Sequence, residues 1–113
     1  MLSIAFCDDE PIMLEELFNV VKGYIDSKKV EFTADLFESG EEFVEKGVRC
    51  RKYDIVFLDI EMKEMNGLEA AAWFRKLNEQ SKVIFVSSHV EYTLDAFKVA
   101  AFRYIIKNKD TMT

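Results

Sequence analysis

The stretch Tyr53-Asp54-Ile55-Val56-Phe57-Leu58-Asp59 constrains the fold more than any other. Ile55 to Leu58 are consecutive apolar residues bounded by polar ones. A run this short, rich in β-branched and aromatic side chains, predicts a strand buried on both faces of a sheet. The run ends in a carboxylate, Asp59, and Asn66-Gly67 then signals a turn before an amphipathic helix. Open α/β sheets bind ligands at the C-terminal ends of their strands, so Asp59 is expected at a ligand-binding edge.

Other segments supply partners for that strand. Leu2 to Cys7 is apolar apart from Ser3 and runs into Asp8-Asp9-Glu10-Pro11, where proline and acidic residues suit a helix start. Ile12, Leu14 (or Met13), Leu17, Phe18, Val21, Tyr24 and Ile25 follow at helical spacing, with a stop near Ser27-Lys28-Lys29. Val30 to Phe37 alternates in polarity, which predicts a half-buried edge strand. Ser39 and Glu42 form a capping-box pattern before a short helix with Phe43 and Val44, ended by Gly47. Val48 to Lys52 reads as a basic connector. Leu68 to Glu79 predicts a helix with Leu68, Ala71 or Ala72 and the Trp73-Phe74 region inward. Lys82 to Val86 predicts a continuous strand ending at Ser87. Glu91 to Val99 predicts a short helix with Tyr92, Leu94 (or Asp95-Ala96) and Phe97 inward, and Phe102 to Lys107 a last strand.

Strands alternating with short helices imply an α/β fold with right-handed crossovers: a flavodoxin-like, doubly wound, five-stranded parallel sheet in the order 2-1-3-4-5. At 113 residues the chain is expected to be one domain spanning 1–113. Half its residues are hydrophobic and ten are Phe, which argues against disorder. A net charge of −6 argues against direct nucleic-acid binding by this chain. Cys7 and Cys50 lack metal-ligand spacing and read as reduced thiols of a cytoplasmic protein. No apolar run reaches the roughly 18–20 residues of a membrane span, so no membrane partner is expected.

The predicted sheet edge gathers Asp8, Asp9, Asp59, Ser87 and Lys107 at strand ends. Converging carboxylates repel: two unit charges about 4 Å apart interact by about 4 kcal/mol at an effective dielectric of about 20. A hard, oxygen-seeking divalent cation would offset this, and Mg²⁺ fits best. Lys107 adds a fixed positive charge. An aspartate can act as a nucleophile toward a phosphoryl group, with Ser87 bonding a phosphoryl oxygen. Each residue alone has a plainer role, such as a helix cap or a solvated strand end. The combination at one edge is what points to phosphoryl chemistry.

These segments resemble a response-regulator receiver domain over Leu2 to Lys107. The likeness lies in Phe6-Cys7-Asp8-Asp9-Glu10, in Leu58-Asp59-Ile60-Glu61-Met62 with Gly67-Leu68-Glu69, in Val86-Ser87-Ser88, and in Tyr104-Ile105-Ile106-Lys107. The resemblance implies Asp59 as phosphoacceptor, Asp9 as direct Mg²⁺ ligand, Asp8 acting largely through water, and the Glu61 main-chain carbonyl as a further ligand. It implies Ser87 and Tyr104 as switch residues and a sensor histidine kinase as partner. Ser88-His89-Val90-Glu91 and Ala100-Ala101-Phe102-Arg103-Tyr104 look most like two-component regulators with a downstream LytTR-type DNA-binding domain. Such a domain is a signalling switch rather than a turnover enzyme. The rivals are a Mg²⁺-dependent phosphohydrolase with Asp59 as nucleophile and Glu61 as acid, and a phosphorylation-independent interaction module.

The sequence departs from the family pattern at several points. Lys63 stands where many receivers have Pro, Ser87 replaces the commoner Thr, and Asn108 replaces the Pro after the lysine, which puts a cis peptide there in doubt. Six residues follow Lys107, where a fifth helix is expected. The chain therefore reads as a truncated piece of a longer regulator, with a bare sheet face through which a homodimer could form.

Overall fold

A computed structural model describes residues 1–107. The elements in chain order are β1 (Leu2–Cys7), α1 (Pro11–Ser27), β2 (Phe32–Phe37), α2 (Gly40–Glu45), a 3-10 segment (Gly47–Lys52), β3 (Ile55–Leu58), α3 (Gly67–Leu77), β4 (Lys82–Ser87), α4 (Thr93–Lys98) and β5 (Arg103–Ile106). The five strands are parallel, in the order β2-β1-β3-β4-β5. This is the flavodoxin-like sheet read from the sequence. The expected fifth helix and the peptide at Asn108 fall outside the described residues. Among the described residues, no helix is long and apolar enough to cross a membrane.

The register decides which residues meet at the edge. Cys7 pairs with Leu58, Leu58 with Phe85, and Ser87 with Ile106. Ladder bonding continues one residue beyond the strands: the Asp8 amide donates to the Phe37 carbonyl at 3.1 Å, that of Asp59 to Cys7 at 2.9 Å, and that of Lys107 to Ser87 at 2.7 Å. The polar residues after the apolar runs are thus held by the sheet rather than by loops.

One core packs α2, α3 and α4 against the sheet through Val56, Leu58, Phe74, Val83 and Phe85. Phe43, fully buried, stacks on Tyr53 and meets Phe37, Trp73 and Phe74. Burying one such ring contributes about 1.5–3 kcal/mol. The second core packs α1 through Leu14, Leu17 and Ile25 onto Ile4, Phe6, Phe57 and Val86. Phe18 and Val21 pack at its margin, whereas Ile12 and Tyr24 are exposed. At about 100° per residue, Ile12 falls opposite the buried stripe.

Several expectations need correction. β2 begins at Phe32, and its Leu36 is exposed. The Ser39 hydroxyl caps α2 by accepting from the Glu42 amide at 3.0 Å, but the Glu42 carboxylate accepts from Glu38, so the capping box is not reciprocal. The reciprocal box is at α3, between Asn66 and Glu69. Asn-Gly there is the helix cap and first residue, not a separate turn. In α4, Ala96 is buried while Leu94 and Phe97 are exposed. Tyr92, Ala96 and Val99 share the inward face, and the larger side chains occupy the other.

Helix α4 closes on Ala100 with φ of 55°, where the Ala101 amide donates to the Ala96 carbonyl at 3.2 Å. A left-handed residue at this position favours glycine. Ala100→Gly is expected to stabilise the chain by roughly 1 kcal/mol, read as a higher denaturation midpoint at unchanged slope.

Candidate functional site

The site grows out of β1, β3 and β5. Asp8 and Asp59 are 2% and 5% exposed, and Lys107 reaches between them. Its Nζ lies 2.8 Å from Asp8 Oδ2 and 3.3 Å from Asp59 Oδ2. The other Asp8 oxygen, Oδ1, accepts from the Glu10 amide at 2.9 Å, which fixes the turn into α1. Asp9 is half-buried beside them, and Asp8, Asp9 and Asp59 offer oxygens all within 4.8 Å of one another. A cleft of about 410 Å³ opens beside Asp9, lined by Ile60, Glu61, Met62, Lys63, Asn66 and Tyr92.

Burial, followed by the Asp8 charge, pushes the Asp59 carboxyl up to about 7, with Lys107 pulling the other way. For Lys107, burial disfavours the ammonium, but its hydrogen bond to Asp8 and the Asp59 charge outweigh this and leave its pKa raised. Three carboxyl groups thus converge on a single ammonium. Burial also pushes the Cys7 thiol strongly upward. That thiol is wedged 3.2 Å from the Ser39 carbonyl and 3.7 Å from the Met62 sulfur, so it is no nucleophile.

Gly67 positions the phosphoacceptor candidate from behind. A Cβ there would lie 2.0 Å from the Asp59 carbonyl oxygen and 3.0 Å from Ile60 Cα. The Gly67 amide meanwhile donates to the Ile60 carbonyl at 2.8 Å. Gly67→Ala is expected to cost about 2–3 kcal/mol, because main chain rather than a flexible side chain must move. Thermal or denaturant unfolding would measure it.

Ser87 is fully buried at the end of β4, and its Oγ accepts from the His89 amide at 3.1 Å. The hydroxyl is thus engaged with the β4–α4 loop. Tyr104, half-buried against Phe85, donates its hydroxyl to the His89 carbonyl. The Glu61 carboxylate accepts from the Tyr92 hydroxyl at 3.2 Å and lies 2.8 Å from His89 Nε2. His89 Nδ1 lies 2.7 Å from Glu91. The hydrogen bond with Glu91, with Glu61 adding to it, raises the His89 pKa.

The structure therefore brings Asp8, Asp9, Asp59 and Lys107 together. Buried Ser87, half-buried Tyr104 and Glu61 at the rim are joined through His89. Sequence reading did not find the contribution of Tyr92 and Glu91 to that rim. The only local signal was the i, i+2 pair of His89 and Glu91, since the Glu61–Tyr92 contact spans two loops.

Comparison with known proteins agrees with this geometry. Residues 4–112 match the response regulator receiver domain family. The chain is 31% identical over 103 residues to the transcriptional regulatory protein LytR of Staphylococcus aureus, covering 88% of this chain and 39% of that protein. It is 35% identical over 112 residues to the sensory transduction protein LytT of Bacillus anthracis, covering 97% of this chain and 43% of that protein. The chain thus spans about two fifths of these relatives. Among solved structures, it resembles response regulator TrrA of Thermotoga maritima, determined in complex with Mg²⁺-BeF, with TM-score 0.72, 32% identity, and coverage of 97% of this chain and 90% of that one. The receiver domain of AraT from Geobacillus stearothermophilus superposes with TM-score 0.79 at 25% identity, covering 94% of this chain and 81% of that one. Family match, relatives and the acidic edge agree, and the chain belongs to the response regulator receiver domains of two-component systems.

Proposed function

We propose that this receiver domain accepts a phosphoryl group on Asp59 from a sensor histidine kinase, and that the change is passed to an output domain of a longer regulator. The observation carrying this reading is the Lys107 ammonium held between buried Asp8 and Asp59, with Asp9 beside them. In its ionised form Asp59 attacks phosphorus as the phosphorus–nitrogen bond to the kinase histidine breaks, and the imidazole leaves. Lys107 lies where it can shift from the aspartates toward the incoming anion.

The three converging carboxylates, with one ammonium among them, fit a hard cation. Asp9, Asp59 and the Glu61 carbonyl would hold Mg²⁺ directly, with Asp8 acting largely through water. The ion would neutralise charge on the phosphoryl oxygens. TrrA, a structural neighbour with Mg²⁺-BeF, supports this assignment. Ser87 would exchange its bond with the His89 amide for one with the phosphoryl group, and Tyr104 would follow the loop through the His89 carbonyl. The output domain is proposed to be a LytTR-type DNA-binding domain, in line with LytR and LytT, and the site residues serve signalling rather than turnover.

Intact mass after incubation with acetyl phosphate tests the reading. A gain of one phosphoryl group with Mg²⁺, absent without it, is expected. No gain would favour a phosphorylation-independent module. Many turnovers of a small phosphate ester per chain would favour the hydrolase.

A further inference from the structure

Among the described α-helices, α4 buries the fewest residues. It has six residues, of which only Ala96 is buried, while Leu94 and Phe97 are 80% and 83% exposed. A single buried methyl contributes less than the conformational entropy lost in ordering one residue of backbone. Apolar packing of its own residues therefore does not fix where α4 sits.

Its C-terminal end is fixed by Arg75, in the last turn of α3. Nε donates to the Val99 carbonyl at 2.7 Å and Nη2 to the Ala100 carbonyl at 2.8 Å. Nη1 donates to the Ser81 carbonyl at 2.6 Å and, at greater length, to that of Asn78 at 3.4 Å. Asn78 caps α3 and Val99 caps α4. The guanidinium thus sits where carbonyls at and just past the C-terminal ends of two helices converge, beside the negative ends of their dipoles. Among the described residues, Arg75 forms no ion pair with a carboxylate. One carbonyl it grips belongs to Ala100, whose left-handed φ of 55° has to be held by its surroundings.

We propose that Arg75 is a positioning residue of the switch. By strapping the C-terminal end of α4 to the α3–β4 junction, it sets the β4–α4 loop, which holds His89 and Tyr92 against Glu61 at the cleft beside Asp9. The functional part of this inference rests on Asp59 being the phosphoacceptor. A planar fork is required, because a lysine ammonium keeps the charge but cannot span carbonyls on both helix ends.

Peptide-resolved amide hydrogen exchange on native chain, Arg75→Lys and Arg75→Gln tests this. Without ligand, both variants are expected to exchange at least tenfold faster across residues 90–102, with β1, β3 and α1 within twofold of native. In a second arm, Mg²⁺ with beryllofluoride serves as probe. Native exchange over 88–102 is expected to change at least threefold, and that of Arg75→Lys by less than half as much on a logarithmic scale. Acetyl phosphate labelling of Asp59 should stay within twofold. Unchanged exchange over 90–102, acceleration spread evenly over the chain, or a native-sized response in Arg75→Lys would overturn the proposal. If the native chain shows neither probe response nor labelling, the phosphoacceptor reading fails, while the ligand-free arm still decides what Arg75 holds.

Discussion

Asp59→Asn is expected to abolish the Mg²⁺-dependent mass gain from acetyl phosphate and, in chelator, to make the domain more stable. The first effect follows from removing the nucleophilic oxygen: an amide presents no lone pair of comparable basicity to phosphorus. The second follows from the pocket charge. Burial and Asp8 raise the folded-state pKa of Asp59 to about 7, above the roughly 3.9 of an unfolded aspartate. Between those values the folded chain keeps a proton that the unfolded chain has lost. Stability therefore falls as pH rises through this window, and the full penalty is present above it. At about 1.4 kcal/mol per unit, the penalty is a few kcal/mol. Asparagine carries no titrating charge, so the variant should lose less stability than the native chain between pH 5 and pH 8. Denaturant unfolding at both pH values measures the difference. Equal slopes would mean that Asp59 titrates in the folded chain much as in the unfolded one. Residual Mg²⁺-dependent labelling of the variant would place the phosphoacceptor elsewhere.

What the sequence disclosed, and what it hid, follows from the range of the interactions. β1 and β3 were legible because their buried faces demand unbroken apolar runs, and parallel pairing carries the ladder one residue past each run. That step places Asp8, Asp59 and Lys107 at one edge, so the centre of the site could be read from strand ends alone. Helix α4 was less legible because size misleads. Leu94 and Phe97 outweigh Ala96 in any apolar count, yet the small residue faces the sheet. Asn66-Gly67 was ambiguous because the same residue types serve turns and helix caps. The role of Arg75 was invisible because its partners are main-chain carbonyls, which every residue carries. Tyr92 reaches Glu61 only because the folded chain brings two loops together.

Lys107→Met should have the largest effect on stability. The side chain is 7% exposed and is the cation bridging Asp8 and Asp59. Methionine keeps a similar apolar stem and leaves the main-chain bond to Ser87 in place, so the change isolates the ammonium. Removing one partner of a buried ion pair typically costs about 3–5 kcal/mol, because the remaining charge stays buried without compensation. Here two carboxylates remain. The raised pKa of Lys107 means that its contribution is fully present in the neutral range and is lost only as pH climbs through that value. Any pH dependence of the variant below that range must come from the aspartates. Without the ammonium the Asp59 pKa rises further, so protonation relieves the strain at low pH and ionisation restores it at high pH. The native-to-variant gap should therefore be near its full size at pH 8 and markedly smaller at pH 5. Mg²⁺ should close part of the gap at pH 8, since a cation among the three aspartates replaces the missing charge and no longer competes with Nζ. Unfolding at the two pH values, with and without Mg²⁺, resolves these effects. A gap independent of pH and of Mg²⁺ would assign Lys107 a packing role and remove the electrostatic basis for reading this edge as a phosphoryl site.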